Sequence, residues 1–354
     1  MKYIKKQKEK LFFAIIISIC VTTLYAQEEQ KIVLPWTWVY RKQLGNDTVK
    51  ARQEQTQVLF KKEGISCFSQ LVVSWNALRP IQGYYTFSGK IRDAKTKQWS
   101  PLHTMIDWGA EVQRSYLSRK GGTTHYAYVR METEKEHLAD GFCITVTAHE
   151  GASLCDIHSL AASVSDFTQF KPESVDTYTN YPSIFIKEVP KVSQFTLDHP
   201  EKDGLCSPTS TSMLVSYLTK KQVDPVLFAQ AVYDDGLKKY GSWPFNTAHA
   251  YEQTEGKVLF AVARLNNFGM LHQLLKKGMP VVVSVRGALE GALLPYANGH
   301  LLVVIGYDAQ SKKVICNDPA TQEGNDVMRS YPLASFMSAW ERSHRLAYVG
   351  EIKK

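Results

Sequence analysis

Only six cysteines occur in 354 residues. None forms a Cys-x-x-Cys pair or stands beside histidines at zinc-holding spacing, so no metal site and no cofactor are expected. Arginine-rich stripes are missing too. The net charge of +8 is scattered along the chain, which describes a solvated surface rather than a nucleic-acid-binding face. Beyond the first thirty residues, no run approaches the roughly 20 apolar residues that a bilayer-spanning helix needs. There is no internal repeat and no low-complexity tract.

The chain starts with MKYIKKQKEKLFFAIIISICVTTLYAQEEQ. Five lysines, an apolar core from Leu11 to about Val21 and the small Ala26 before Gln27 have the order of an export signal. Ile19 stands where a lipid-anchored Cys20 would want a small neighbour, so ordinary cleavage after Ala26 is expected, with periplasmic or secreted protein as the product. The signal carries five lysines and one glutamate, so the rest of the chain keeps +4 of the +8. Cleavage leaves 328 residues, more than one core usually serves. Five cysteines remain: Cys67, Cys143, Cys155, Cys206 and Cys316. Cys143 and Cys155 are candidates for a bridge, but the odd total leaves at least one thiol over in an oxidising compartment.

Two textures follow. From Trp36 to Asp166 short β-patterned runs dominate: 67–75, 84–93, 125–133 and 142–150 alternate or are rich in β-branched and aromatic residues. They predict an all-β domain of sandwich or jelly-roll type over 27–180. Trp75, Trp99 and Trp108 fit its core better than an exposed sugar-stacking face. The proline-bearing connector 171–195 marks a boundary near Tyr181. Over 181–354 the pattern predicts helices at 208–218, 225–233 and 268–277, then strands at 280–285, 300–308 and 313–318. This is an α+β layout.

In 203-DGLCSPTSTSML-214, Pro208 suits the first turn of a helix. Cys206 would therefore lie in the field of that helix's amino end, which favours a thiolate. An inert cysteine at a loop–helix junction has the same local pattern, so the thiolate needs a base. His300 opens the apolar strand 300-HLLVVIGYD-308, where a polar ring needs a partner. If 300–308 and 313–318 form a hairpin turning near Gln310, residues whose numbers sum to about 620 lie opposite. Asp318 then faces Leu302 and sits diagonally beside His300; a one-residue slip would put the two on opposite faces. Gln194 is a candidate oxyanion donor beside the Cys206 backbone N–H. Trp243 and Asn246, in 240-YGSWPFN-246, are candidate cleft residues that suit packing beneath the site equally well.

The order Gln194, Cys206-Ser-Pro-Thr opening a helix, Gly299-His300 with an apolar strand, and Asn317-Asp318-Pro319 resembles the papain-like peptidases of cysteine peptidase family 39. The likeness is greatest to exported stand-alone relatives with a β-rich region in front. SWNA at 74–77, GMPVVVSV at 278–285 and NDPA at 317–320 also match. The resemblance implies a papain-like fold and peptide-bond hydrolysis, with Cys206 as nucleophile, His300 as base, Asp318 as orienting carboxylate and Gln194 as oxyanion donor. Peptides or proteins are the implied substrates, and association with the cell envelope is a further expectation. Ser207 departs from the glycine usual after the cysteine; a positive φ there would strain the loop. Transglutaminase-like acyl transfer shares the Cys-His-Asp order. A non-catalytic surface-binding protein on the same fold is the alternative of another class.

Overall fold

The computed structural model describes residues 35–44, 56–117, 119–173, 181–322 and 324–353. The expected export signal and residues 174–180 of the connector lie outside them.

Eleven strands occupy the first half of the described chain: β1 (Thr37–Gln43), β2 (Gln57–Phe68), β3 (Gln70–Ala77), β4 (Tyr84–Asp93), β5 (His103–Gly109), β6 (Gln113–Ser115), β7 (Arg119–Gly121), β8 (Thr124–Ala127), β9 (Arg130–Thr133), β10 (Ala139–His149) and β11 (Ile157–Ser165). They form two antiparallel sheets, ordered β1-β11-β3-β9-β8-β7 and β2-β10-β4-β5-β6. Aromatic side chains join the two. Trp75 of β3 stacks on Phe87 of β4 at 4.2 Å and meets Trp108 of β5 edge-on at 5.6 Å. Trp75 and Trp108 are fully buried core residues. Trp99 is half-buried, with Lys61 and Lys90 over its ring.

Two boundaries differ from the sequence pattern. The run 67–75 contains the end of β2 and most of β3, split at Ser69. The run 125–133 is a hairpin rather than one strand. Its central residues Tyr128 and Val129 both have positive φ, 49° and 63°, as a two-residue loop matching the strand twist requires. Neither is a glycine, asparagine or aspartate, so the usual turn signal was missing. Among the described residues the cysteines form no disulfide, so Cys143 and Cys155 are not bridged.

The second half is built on a central helix, α1 (Cys206–Thr219), followed by α2 (Pro225–Val232) and α3 (Trp243–Gln253). Strand β12 (Ile184–Phe185) precedes them. Next come β13 (Val258–Arg264), α4 (Phe268–Lys276), β14 (Val281–Gly287), β15 (Tyr296–Asp308), β16 (Lys313–Asn317), β17 (Met328–Pro332), α5 (Leu333–Glu341) and β18 (Leu346–Ile352). The sheet runs β13-β18-β14-β15-β16-β17, with β12 added against β15. Helix starts follow their sequence signals. Asp224 caps α2 by accepting from the N–H groups of Val226 and Leu227, with Pro225 in the first turn. Asn267 caps α4 through Met270 N–H, and Gly278 after it adopts a φ of +73°.

Helix α1 explains its run of hydroxyl residues. Ser207 to Ser216 are all buried, so the helix has no water-facing side and its small side chains let neighbours approach closely. Three of their hydroxyls donate to internal carbonyls: Thr211 to Ser207 O, Ser212 to Thr209 O and Ser210 to Leu301 O on β15.

Strand β13 is an edge of the large sheet, and the β-rich half covers that edge. Asn76 on β3 accepts from Phe260 N–H at 2.7 Å and donates to Phe260 O at 3.0 Å. Ser74 accepts from Val262 N–H, while Gln70 accepts from the buried Arg264 guanidinium. Polar side chains at alternate positions thus substitute for a missing strand partner. Every residue of β3 is buried in consequence. Both halves belong to one compact unit, Trp36–Lys354.

Candidate active site

Cys206 is the first residue of α1, which starts two residues earlier than the sequence pattern predicts; Leu205 occupies the cap with no side-chain hydrogen bond. The thiol of the half-buried Cys206 is acted on by the His300 ring and by the backbone N–H groups of Leu301 and Ser207. Burial alone would push this thiol up. The imidazole's hydrogen bond and charge, with the two N–H groups, outweigh burial and hold it below the ordinary cysteine value. Ser207 is helical, is not among the residues with positive φ, and its hydroxyl lies 2.9 Å from the Tyr348 hydroxyl. No backbone strain attends the missing glycine.

His300 lies on β15 opposite Val285 of β14 and is buried. Its Nε2 is 2.7 Å from Asp318 Oδ1, which leaves Nδ1 for the sulfur. Burial would push the imidazole down, but the Asp318 charge and hydrogen bond, aided by the Cys206 sulfur, raise it to about 10. The imidazolium is therefore the form favoured beside a thiolate.

A β-bulge brings His300 and Asp318 together. From Asp308↔Lys313 to Gly306↔Ile315 the paired numbers of β15 and β16 sum to 621; after the irregularity at Ile305, Val304↔Cys316 and Val303↔Asn317 sum to 620. The even register expected from the sequence thus holds at the site and is offset by one near the turn. Gly306 is required at the bulge, since a Cβ there would lie 2.5 Å from Ile184 O on β12.

Asp318 is fully buried and accepts four hydrogen bonds. Oδ1 takes His300 and the Ala320 N–H at 2.9 Å, and Oδ2 takes the hydroxyls of Tyr296 at 2.7 Å and Tyr331 at 2.6 Å. Burial would raise this carboxyl, yet His300, Tyr331 and Tyr296 together hold it down at about 2. Tyr296 also stacks on the imidazole, with ring centroids 4.1 Å apart and planes 16° apart. The sequence reading missed both tyrosines. Tyr296 carried a faint signal, four residues before His300 and on the same strand face, whereas Tyr331 arrives on β17 with none.

Gln194 is buried close to the nucleophile loop, with its N–H bonded to Pro319 O beside Asp318. Its side-chain amide donates to the carbonyls of Lys202 (3.0 Å) and Asp203 (2.9 Å). Both amide hydrogens are thus engaged in holding the loop before Cys206, and an oxyanion would have to displace one of those carbonyls. Asn246 does not face a cleft. It is fully buried in the first turn of α3, tying the preceding loop through Tyr240 O and Ser242 O. Trp243 is half-buried against the core, 5.7 Å from the Arg130 guanidinium of β9. A cavity of about 430 Å³ is lined by Phe195, Lys202, Asp203, Leu293, Leu294 and Gln322. Two of these residues belong to the loop entering α1, and the two leucines to the loop entering β15.

Residues 186–348 match the Peptidase_C39 like family. This part of the chain is therefore similar to the peptidases of that family. The matched span begins just before Gln194 and takes in Cys206, His300 and Asp318. Among solved structures, the chain is similar to xylellain, a cysteine protease from Xylella fastidiosa, at 12% identity and a TM-score of 0.31 over 52% of this chain and 91% of that one. No curated protein matches the sequence.

Proposed function

We propose that the protein is an exported cysteine peptidase that hydrolyses peptide bonds through a thioester on Cys206, with His300 as acid and base and Asp318 as the orienting carboxylate. The observation that carries this reading is the buried relay from sulfur to imidazole to carboxylate: the thiol held low, the imidazole high, and Nε2 fixed 2.7 Å from Asp318. The thiolate adds to the scissile carbonyl carbon, forming a C–S bond and an oxyanion. The imidazolium gives its Nδ1 proton to the leaving amine as the C–N bond breaks, leaving a thioester. Neutral His300 then takes a proton from water, whose oxygen displaces the sulfur and regenerates the ion pair. Backbone N–H groups at the start of α1 supply the oxyanion donors, while Gln194 steadies the loop that presents them. Export rests on the basic, then apolar, then small-residue order of residues 1–26. The two β-sheets are read as a sandwich-like accessory region over 27–180, carrying the peptidase region of 181–354 against it.

The test is the epoxide inhibitor E-64 followed by intact-mass and peptide-mass measurement. One adduct on Cys206, absent from Cys206→Ala, is expected, with the exposed Cys67 and the buried Cys316 reacting far more slowly. Equal labelling of Cys67 would contradict a thiolate activated by His300.

A further inference from the structure

Tyr296 and Tyr331 are absent from every step of the proposed mechanism, yet both direct their hydroxyls at one oxygen of a buried carboxylate. We infer that Tyr296 and Tyr331 are positioning residues that act through Asp318: their two hydroxyls keep its Oδ2 ionised and fixed, so that Oδ1 stays aimed at His300 Nε2. This rests on the proposed roles of Cys206, His300 and Asp318, and adds two residues that none of those roles includes.

The geometry divides the work. Oδ1 serves the imidazole and the Ala320 N–H, while Oδ2 has only the tyrosines, at 2.7 and 2.6 Å. With Oδ2 saturated, the carboxylate cannot turn to offer its other oxygen without breaking two charge-assisted bonds. The two hydroxyls come from opposite sides in topology, Tyr296 from β15 and Tyr331 from β17, with β16 between them. Tyr296 has a second task, because its ring lies flat on the imidazole and fixes the plane in which Nδ1 reaches the sulfur.

The tyrosines also prevent a proton from settling on the wrong group. An imidazolium beside a buried carboxylate can pass its proton across and leave a neutral pair, which does nothing to hold a thiolate. Donors on Oδ2 stabilise the charged carboxylate and oppose that transfer. The other ionisable groups around this cluster are Cys206, Cys316, Arg329 and, beside the nucleophile, Tyr348. Cys316 is itself pushed far up by burial and then by Asp318, so it stays a neutral thiol. Arg329 acts on Tyr296 from the edge and donates to Gly291 O.

The rate of Cys206 carboxamidomethylation by iodoacetamide as a function of pH tests the inference, and it requires no substrate. Each hydrogen bond to a charged group is worth about 1–2 pH units of carboxylate affinity for protons. Tyr296→Phe combined with Tyr331→Phe should therefore move the acid limb of the profile upward by about one unit or more, with smaller shifts in the single variants. In an Asp318→Asn background, Tyr331→Phe should shift the limb no further, because its effect runs through the carboxylate. Tyr296→Leu should slow alkylation beyond Tyr296→Phe, which keeps the stacked ring. Should the doubly substituted protein not fold, Tyr331→Phe alone and in the Asp318→Asn background decides the matter. A folded Tyr331→Phe protein with an unmoved or lowered acid limb, or an equal shift in both backgrounds, overturns the inference. If the wild type itself shows no alkylation ahead of Cys67, the failure belongs to the proposed mechanism instead.

Discussion

At the scale of the residue, the site depends on charges that burial opposes and partners restore. Burial disfavours the charged form of Cys206, His300 and Asp318 alike, and in each case a neighbouring group shifts the balance back toward that form. The imidazole's elevation to about 10 fixes the sign of the alkaline limb: the imidazolium persists below that value and is lost above it. Peptide hydrolysis is therefore expected to hold through neutral pH and to fade as pH rises through about 10, as a kcat/KM profile would record. Asp318→Asn should lower kcat/KM by roughly 100-fold or more, and because four donors converge on this buried carboxylate it should lower thermal stability as well. An Asp318→Asn enzyme with full activity would remove the carboxylate from the mechanism. Cys206, His300 and Asp318 were legible in the sequence because each disturbs a local pattern: a thiol at a helix start, a polar ring at the head of an apolar strand, an acid just before proline. Asn246 misled because a buried amide tying a loop and an amide lining a cleft have the same sequence surroundings.

Among the elements, α1, the β15–β16 hairpin and β3 do most to shape the site. Periodicity disclosed α1, α2 and α4 to within a few residues, since each has an apolar pattern and a recognisable start or stop. It did not disclose α3, whose Trp-Pro-Phe-Asn-Thr start mixes aromatic and turn-forming residues. Nor did it disclose β13, buried throughout, or β18, buried over its first three residues, where burial of successive residues erases alternation. The bulge at Ile305 could not be read either, because register depends on β12 passing close to Gly306. Strand β3 looked like an ordinary sandwich strand, yet its polar positions hold the open edge of β13. Asn76→Ala would strand the Phe260 N–H and C=O in a buried place, a cost of about 1–3 kcal/mol for each group. Chemical denaturation should show a loss of that order, and a change within about 0.5 kcal/mol would mean that the edge is held by other contacts.

For the molecule as a whole, the β-rich half and the peptidase half share one compact unit, so the boundary near Tyr181 marks a change of texture rather than a hinge visible in the contacts. Composition and strand patterns were enough to place an α+β region behind a β-rich one. The clasp between them was not legible, because it joins residues nearly 190 positions apart through side chains that look unremarkable alone. What the assembled molecule presents is the half-buried Cys206 paired with the buried His300. The central claim is that this pair cuts peptide bonds. Incubating the protein, processed at its expected start, and its Cys206→Ala variant with a diverse peptide library, with products read by mass spectrometry, tests it most directly. The account predicts new peptide termini from the wild type and none from the variant; identical product sets, or no cleavage by either, would contradict it.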